Sequence, residues 1–279
     1  MDIEIFKNVR NSLSEKGLYE SLLDIILIKD ENNGIRSRLF NIVERIYPKG
    51  TIFCRVRRKD SLQDLTYSDF WAPPESVIQN GRLNTTGERM LYMSIGEINT
   101  PLKEIKIKND EKFLAIYYQS EKDIILTEIG FSDPNNIDHD EVRNILDSIF
   151  IENFDGIYKI TNLIVKKINN LENFGWCYSS VANKDGVNVC LKKEYQSLLN
   201  IINISQCSIS KDDDFKVHSI IKVNEKEEIE VQKDKDLISK EIEILKKKFN
   251  EVEKIPPSKI LIVPKIGIRK IDKTDSVIV

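Results

Sequence analysis

The spacing of apolar positions along this chain changes character twice. In the first fifty residues it is dense and helical. LYESLLDIILI (18–28) follows Ser14, a residue suited to cap a helix N-terminus. Asn32-Asn33-Gly34 interrupts the pattern, and IRSRLFNIVERIY (35–47) predicts a second helix that runs up to Pro48. Short β-branched and aromatic runs then take over: TIFCRVRR (51–58), RMLYMSI (89–95), KFLAIYYQ (112–119) and DIILTEI (123–129) predict strands. INTPLKEIKI, between the second and third of these, predicts a helix with Thr100 as cap and Pro101 at its first position. Residues 140–150 and 154–169 predict helices separated near Asn153, and WCYSSVA (176–182) and VNVCL (187–191) predict strands.

Past Glu194, alternating runs such as FKVHSIIKV (215–223) continue the strand pattern before a charged stretch, EKEEIEVQKDKD. A helix from Leu237 to about Lys254 aligns Ile238, Ile242, Leu245, Phe249 and Val252 on one face. Pro256-Pro257 ends it, and ILIVPKIGIRKI reads as a closing strand or a docked tail. No internal repeat is visible. The pattern predicts an α+β fold with a mixed sheet. Its expected parts are an N-terminal helical segment over 1–50, a core over 51–209, and a strand and helix extension over 210–279 packed on that core.

Composition narrows the functional classes. The chain has 279 residues, 41% hydrophobic and 31% charged, enough for one large domain or two small ones and too apolar for a disordered chain. A net charge of −3 gives no general attraction to nucleic acid or to an anionic membrane. No apolar run approaches the length of a membrane span, and MDIEIFKNVR lacks the form of a secretory signal, so a cytoplasmic protein is expected. Cys54, Cys177, Cys190 and Cys207 form no C-x-x-C pair and read as reduced thiols, buried where they fall in apolar runs. His139 and His218 are the only histidines, which argues against a zinc site or a histidine-activated nucleophile. Neither common nucleotide-binding glycine motif is present.

The candidate chemistry lies in two turn-rich stretches. Within Gly81–Ile105, Arg82 precedes Tyr92 by ten residues and Tyr92 precedes Glu104 by twelve, with Asn84 and Gly87 between the first two. GWCYSSVANKDGVNVCL (175–191) adds Ser179 and Ser180. Arginine, tyrosine, glutamate and serine together suit the cleavage of a phosphorylated, positively charged glycoside. A planar guanidinium clamps a pyrophosphate or ribose oxygen, and an aromatic face attracts a cationic ring. Arg55, in the strand FCRVRR, is a further candidate phosphate ligand, and Arg57 shares its strand face. Each residue also has an ordinary reading: a turn-ordering arginine, a core tyrosine, a solvated glutamate, a strand-ending serine.

The order of these pieces resembles the RES domain family. Its Arg-x-Asn-x-x-Gly stretch, Leu-Tyr strand and glutamate-bearing helix fall on Arg82, Asn84, Gly87, Leu91, Tyr92 and Glu104. Its Gly-x-x-Tyr-x-Ser motif falls on Gly175, Tyr178 and Ser180, its upstream arginine on Arg55, and its Ala-Pro-Pro on WAPPES. The resemblance covers roughly Thr51 to Leu191. It implies an ADP-ribosyltransferase-like fold, a bacterial toxin that consumes NAD as its substrate, and a cognate antitoxin protein. In that setting Glu104, Arg82 and Tyr92 are catalytic, and Arg55, Arg82, Asn84, Tyr92 and Ser180 bind substrate. Tyr92 stacks on nicotinamide, Glu104 holds a ribose hydroxyl and opposes the charge that develops as the glycosidic bond stretches, and Ser180, or Ser179, holds a phosphate or ribose oxygen. No metal or cofactor is required. Phosphate or water as acceptor makes a phosphorylase or a glycohydrolase; a macromolecular acceptor makes an ADP-ribosyltransferase. An inactive RES-like binding or regulatory protein is the rival class. Pro101-Leu102-Lys103-Glu104 departs from the small-residue pattern of the family, and the terminal additions exceed the compact form.

Overall fold

The computed structural model describes residues 27–29, 35–37, 42–96, 98–130, 149–150, 157–168, 173–183, 185–211, 215–252 and 258–262. The strands are β1 Leu27–Lys29, β2 Ile35–Ser37, β3 Ile42–Tyr47, β4 Ile52–Arg58, β5 Met90–Ile95, β6 Phe113–Ser120, β7 Ile124–Ile129, β8 Gly175–Ser179, β9 Val187–Lys192, β10 Leu199–Ile209, β11 Phe215–Val223, β12 Ile229–Gln232 and β13 Ser258–Ile262. The helices are α1 Asn99–Ile105, α2 Ile157–Leu163 and α3 Lys235–Val252. β1 and β2 pair with each other, and the remaining eleven strands form one sheet in the order β12-β11-β10-β6-β4-β5-β9-β8-β7-β3-β13. Every pairing in it is antiparallel except β7 with β8, so the sheet is mixed and the fold is α+β.

The near-continuous apolar runs of β4 and β6 follow from burial on both faces of the sheet. On one face Phe53, Leu91, Met93, Leu114, Ile116 and Tyr118 pack with Phe70 and Ala72. On the other, Ile52, Cys54, Val56, Ala115 and Tyr117 pack beneath Leu102 and Ile105 of α1 and Leu245 and Phe249 of α3. The expected face of the long helix is the one that docks: Ile238 is buried, and the Phe249 ring meets Tyr117 edge-on at 5.6 Å. All four cysteines are buried and free.

Several expectations give way. Residues 35–47, read as a helix, hold β2 and β3. A short apolar run fits either period, and β3 is held extended by partners on both sides, β7 and β13. Arg45 of β3 also donates to the otherwise buried Glu128 carboxylate of β7 at 2.7 Å. Of the helix expected over 18–28, Leu27 and Ile28 are extended in β1 and the rest lies outside the described residues. β3, β11, β12 and β13, which fall outside 51–209, belong to the same sheet as the strands within it. The sequence pattern also did not single out β10, the longest strand, which joins β6 to β11. The helix over 140–150 is described only at Ile149 and Phe150, and His139 lies outside the described residues. The helix over 154–169 is seen as α2 continued by a π-helical turn, Ile164–Ile168. No described helix is long and apolar enough to cross a membrane.

Candidate active site

β4 and β5 lie side by side but share only the pairs Phe53–Ile95 and Cys54–Ser94. β4 pairs along its whole length with β6, and β5 over five residues with β9. Beyond Cys54 and Ser94 the two strands part, and a cavity of about 270 Å³ lies at the parting. Arg55 and Val56 line it from β4, Tyr92, Met93 and Ser94 from β5, Glu104 from α1, and Tyr178 and Asn188 from β8 and β9. The lining includes residues from strand positions that alternate between the two sheet faces, such as Arg55 and Val56.

Glu104 is brought there by a short helix that the sequence placed correctly but capped wrongly. α1 begins at Asn99 with Ile98 at the N-cap and no side-chain cap. Thr100 lies inside the first turn, where its hydroxyl accepts from Asn183 Nδ2 at 2.8 Å. The turn from β8 to β9 comes close enough for this because Gly186 lacks a side chain: a Cβ there would stand 2.3 Å from Thr100 Oγ1. Gly175, at the start of β8, is required for the same reason, since a Cβ would fall 2.0 Å from the Cys190 carbonyl oxygen.

The turn delivers its donors to one oxygen. Glu104 Oε1 accepts from Ser180 Oγ at 2.5 Å, the Val181 N–H at 3.1 Å and Asn188 Nδ2 at 2.7 Å, with the Ala182 N–H at 3.5 Å. Glu104 Oε2 takes no hydrogen bond from the described residues. A charge-assisted cluster of this kind orients the carboxylate strongly. Ser180, 3% exposed, is thus the serine that meets Glu104; its hydroxyl also accepts from the Asn183 N–H at 3.1 Å. Expected as a ligand of a phosphate or ribose oxygen, it is engaged with the protein itself.

The arginine stretch builds a shaped loop beside the cavity. The Gly81 N–H donates to Asn84 O, and Gly87, with φ +82, donates to Ile78 O. Asn84 is buried, and both its amide atoms are used internally: Oδ1 accepts from Tyr92 OH at 2.8 Å, and Nδ2 donates to Gln79 O and Thr85 O. It shapes the loop and does not line the cavity. Tyr92 OH also accepts from the Leu83 N–H, so the hydroxyl is committed within the loop, and Tyr92 is among the residues lining the cavity. Burial, with Cys190 and Tyr178 close by, pushes this phenol well above its usual range. Glu88 accepts from Thr85 and from Lys166 Nζ at 2.6 Å, tying the loop to the π-helical turn. Arg89 donates to Ala72 O and Pro73 O, which explains the proximity of WAPPES.

The arginines separate by role. Arg57 is paired with Asp69 at 2.6 Å. Arg82 donates to Phe150 O at 2.5 Å, lies 5.9 Å from the Tyr158 ring centre, and is not among the cavity residues. Arg55 does line the cavity, with Nη1 resting on Trp71 O. Burial pushes the neighbouring Tyr118 hydroxyl up to about 12 against the opposing pull of Arg55.

Of the expected site residues, Glu104, Tyr92 and Arg55 therefore meet at one cavity with Ser180 directly behind, while Arg82 and Asn84 stand to one side. Asn188, Ser94, Thr100 and Asn183 were not anticipated. The available signal was Asn188, a polar residue interrupting the apolar run VNVCL. Among the described residues no cluster of His, Cys, Asp and Glu has the arrangement to hold a metal ion. Comparison with protein-family models, with curated proteins and with solved structures found no match.

Proposed function

We propose that this chain cleaves the nicotinamide glycosidic bond of NAD, passing the ADP-ribosyl group to water or inorganic phosphate, with a sheet that is a variant of the ADP-ribosyltransferase-like fold. The observation that carries the reading is the meeting of Glu104 and Ser180, 76 residues apart in sequence, at a cavity shared with Tyr92 and Arg55. Four residues of the RES-like motifs, Arg55, Tyr92, Glu104 and Tyr178, line this cavity, and Ser180 is bonded to Glu104; Arg82 and Asn84 lie outside it.

The C1′–N bond breaks with its electron pair passing to the pyridinium nitrogen, so nicotinamide leaves neutral and no strong general acid is needed. Positive charge moves to the ribose, where Glu104 opposes it from an orientation set by Ser180, Val181 and Asn188. Tyr92 and Tyr178 wall the ring, and Arg55 is the cation placed to take a phosphate, a role the loop arrangement favours for it over Arg82. The acceptor oxygen then bonds to C1′ and sheds its proton to solvent. At about 270 Å³ the cavity is smaller than the ~300–1,000 Å³ typical of ligand pockets, a size for the nicotinamide riboside end of the dinucleotide and not the whole of it.

In its host, such an enzyme is a cytoplasmic toxin held in check by a partner protein that covers the cavity. The test is incubation of the purified chain with NAD, with and without phosphate, and analysis of products. Wild-type protein releases nicotinamide, and Glu104→Gln, which keeps shape and removes charge, lowers kcat by about 10²–10³-fold, or ~3 kcal/mol. Intact NAD after prolonged incubation with wild-type protein rejects the reading.

A further inference from the structure

We propose that Asn188 is a positioning residue of this site: braced by Ser94, it fixes the Glu104 carboxylate to the sheet for the reaction. The inference rests on the reading that Glu104 acts as the charge-stabilising carboxylate.

Asn188 is 6% exposed in a strand whose neighbours Val187 and Val189 pack into the core. An amide so placed costs about 1–3 kcal/mol unless bonded, and an apolar side chain would suit the strand better. Both ends of the amide are bonded. Oδ1 accepts from Ser94 Oγ at 3.1 Å, and Nδ2 donates to Glu104 Oε1 at 2.7 Å. Ser94, itself 1% exposed, faces Asn188 directly in the β5–β9 register. The ionised Glu104 carboxylate can only accept, so it takes the NH2 end of the amide, and the Ser94 hydroxyl donates to the oxygen that remains.

The other donors to Glu104, Ser180, Val181 and Ala182, come from the turn between β8 and β9. Among the described donors, Asn188 alone reaches it from a strand paired on both sides. α1 has only seven residues and no side-chain cap, so its register against the sheet depends on such tertiary bonds. Asn188 acts through Glu104, and its contribution belongs to the placement of that carboxylate.

Asn188→Asp keeps the shape and puts a second carboxylate against Glu104. The charged groups near the pair include Arg55 from β4, Arg82, whose charge acts on Tyr178, and Lys103 on α1, whose Nζ donates to Asn183; the titratable Tyr92 and Tyr178 come from β5 and β8. Two carboxylates at this distance share one proton, and one apparent pKa rises. Below the raised value the pair holds one proton divided between Glu104 and the introduced carboxylate, so the fraction of charged Glu104, and activity with it, falls there. The acidic limb of the kcat/KM profile for nicotinamide release should move upward by ~1–3 pH units. Asn188→Leu, near in shape but without the donor, should lower kcat on the order of 100-fold with a smaller change in KM.

A ¹³C carboxyl titration, with the Glu104 signal assigned by its loss in Glu104→Gln, reads the same contact without turnover and should shift upward in Asn188→Asp. An unmoved limb in an active enzyme, or an unmoved Glu104 titration, overturns the inference. A purely structural asparagine would reduce activity evenly at every pH. If wild-type protein releases no nicotinamide, the parent reading falls and the titration alone judges Asn188. If Asn188→Asp fails to fold, the kcat–KM split of Asn188→Leu decides, and an equal rise in KM with unchanged kcat rejects positioning.

Discussion

Replacing Ser180 by alanine separates a residue that holds substrate from one that holds the catalytic carboxylate. The hydroxyl is almost fully buried and makes two bonds, donating to Glu104 Oε1 at 2.5 Å and accepting from the Asn183 N–H at 3.1 Å. A bond to a charged partner contributes roughly 1.5–3 kcal/mol, and the Asn183 N–H left without its acceptor adds about 1 kcal/mol. The expected loss is about 3 kcal/mol. In a chain of this size that lowers Tm by roughly 6–12 °C. Glu104 Oε1 keeps the Val181 and Asn188 donors, so the carboxylate loosens without leaving the site. Activity should therefore fall through kcat, by less than in Glu104→Gln, with KM for NAD little changed. Thermal unfolding followed by circular dichroism and initial rates of nicotinamide release give both numbers. An unchanged Tm combined with a raised KM would refute the reasoning and return Ser180 to the role of substrate ligand.

The other expectations follow from the same contacts. Arg55→Lys should weaken NAD binding in calorimetry, because the planar fork at the cavity is lost; Arg82→Lys should lower Tm more than affinity, since its guanidinium serves Phe150 O, and the reverse pattern would restore Arg82 as the clamp. Gly186→Ala sets a Cβ against Thr100 and should destabilise by about 1–3 kcal/mol, with Thr100→Ala in the same chain recovering part of the loss in urea unfolding. Burial works against the charge of Glu88, but Lys166 and Thr85 overcome it and hold the carboxyl below its ordinary value. Its stabilisation is thus complete above the unfolded-state pKa and is lost as pH falls through the lower folded value. Lys166→Met should flatten that part of the stability–pH curve, and an unaltered slope would show that the pair contributes nothing.

Local chemistry determined much of this protein without help. The runs of β4, β5, β6, β7, β9 and β11 are legible because β-branched and aromatic residues bounded by turns have few alternatives, and the face of α3 is legible from its helical period. The association of Glu104 with Ser180 is legible only as a resemblance of motifs, since no period or spacing brings residues 76 positions apart together. The tertiary structure decided what remained ambiguous. Residues 42–47 suit a helix or a strand, and two neighbouring strands with a buried Glu128 awaiting Arg45 settle the matter. Arg55, Arg57 and Arg82 are chemically equivalent in the sequence, yet one lines the cavity and the others are spent on Asp69 and Phe150, because which acceptor lies within reach depends on how the loops close. The cavity itself exists because β4 and β5 stop pairing after two residue pairs, and the end of a ladder is a property of two strands that neither one encodes alone.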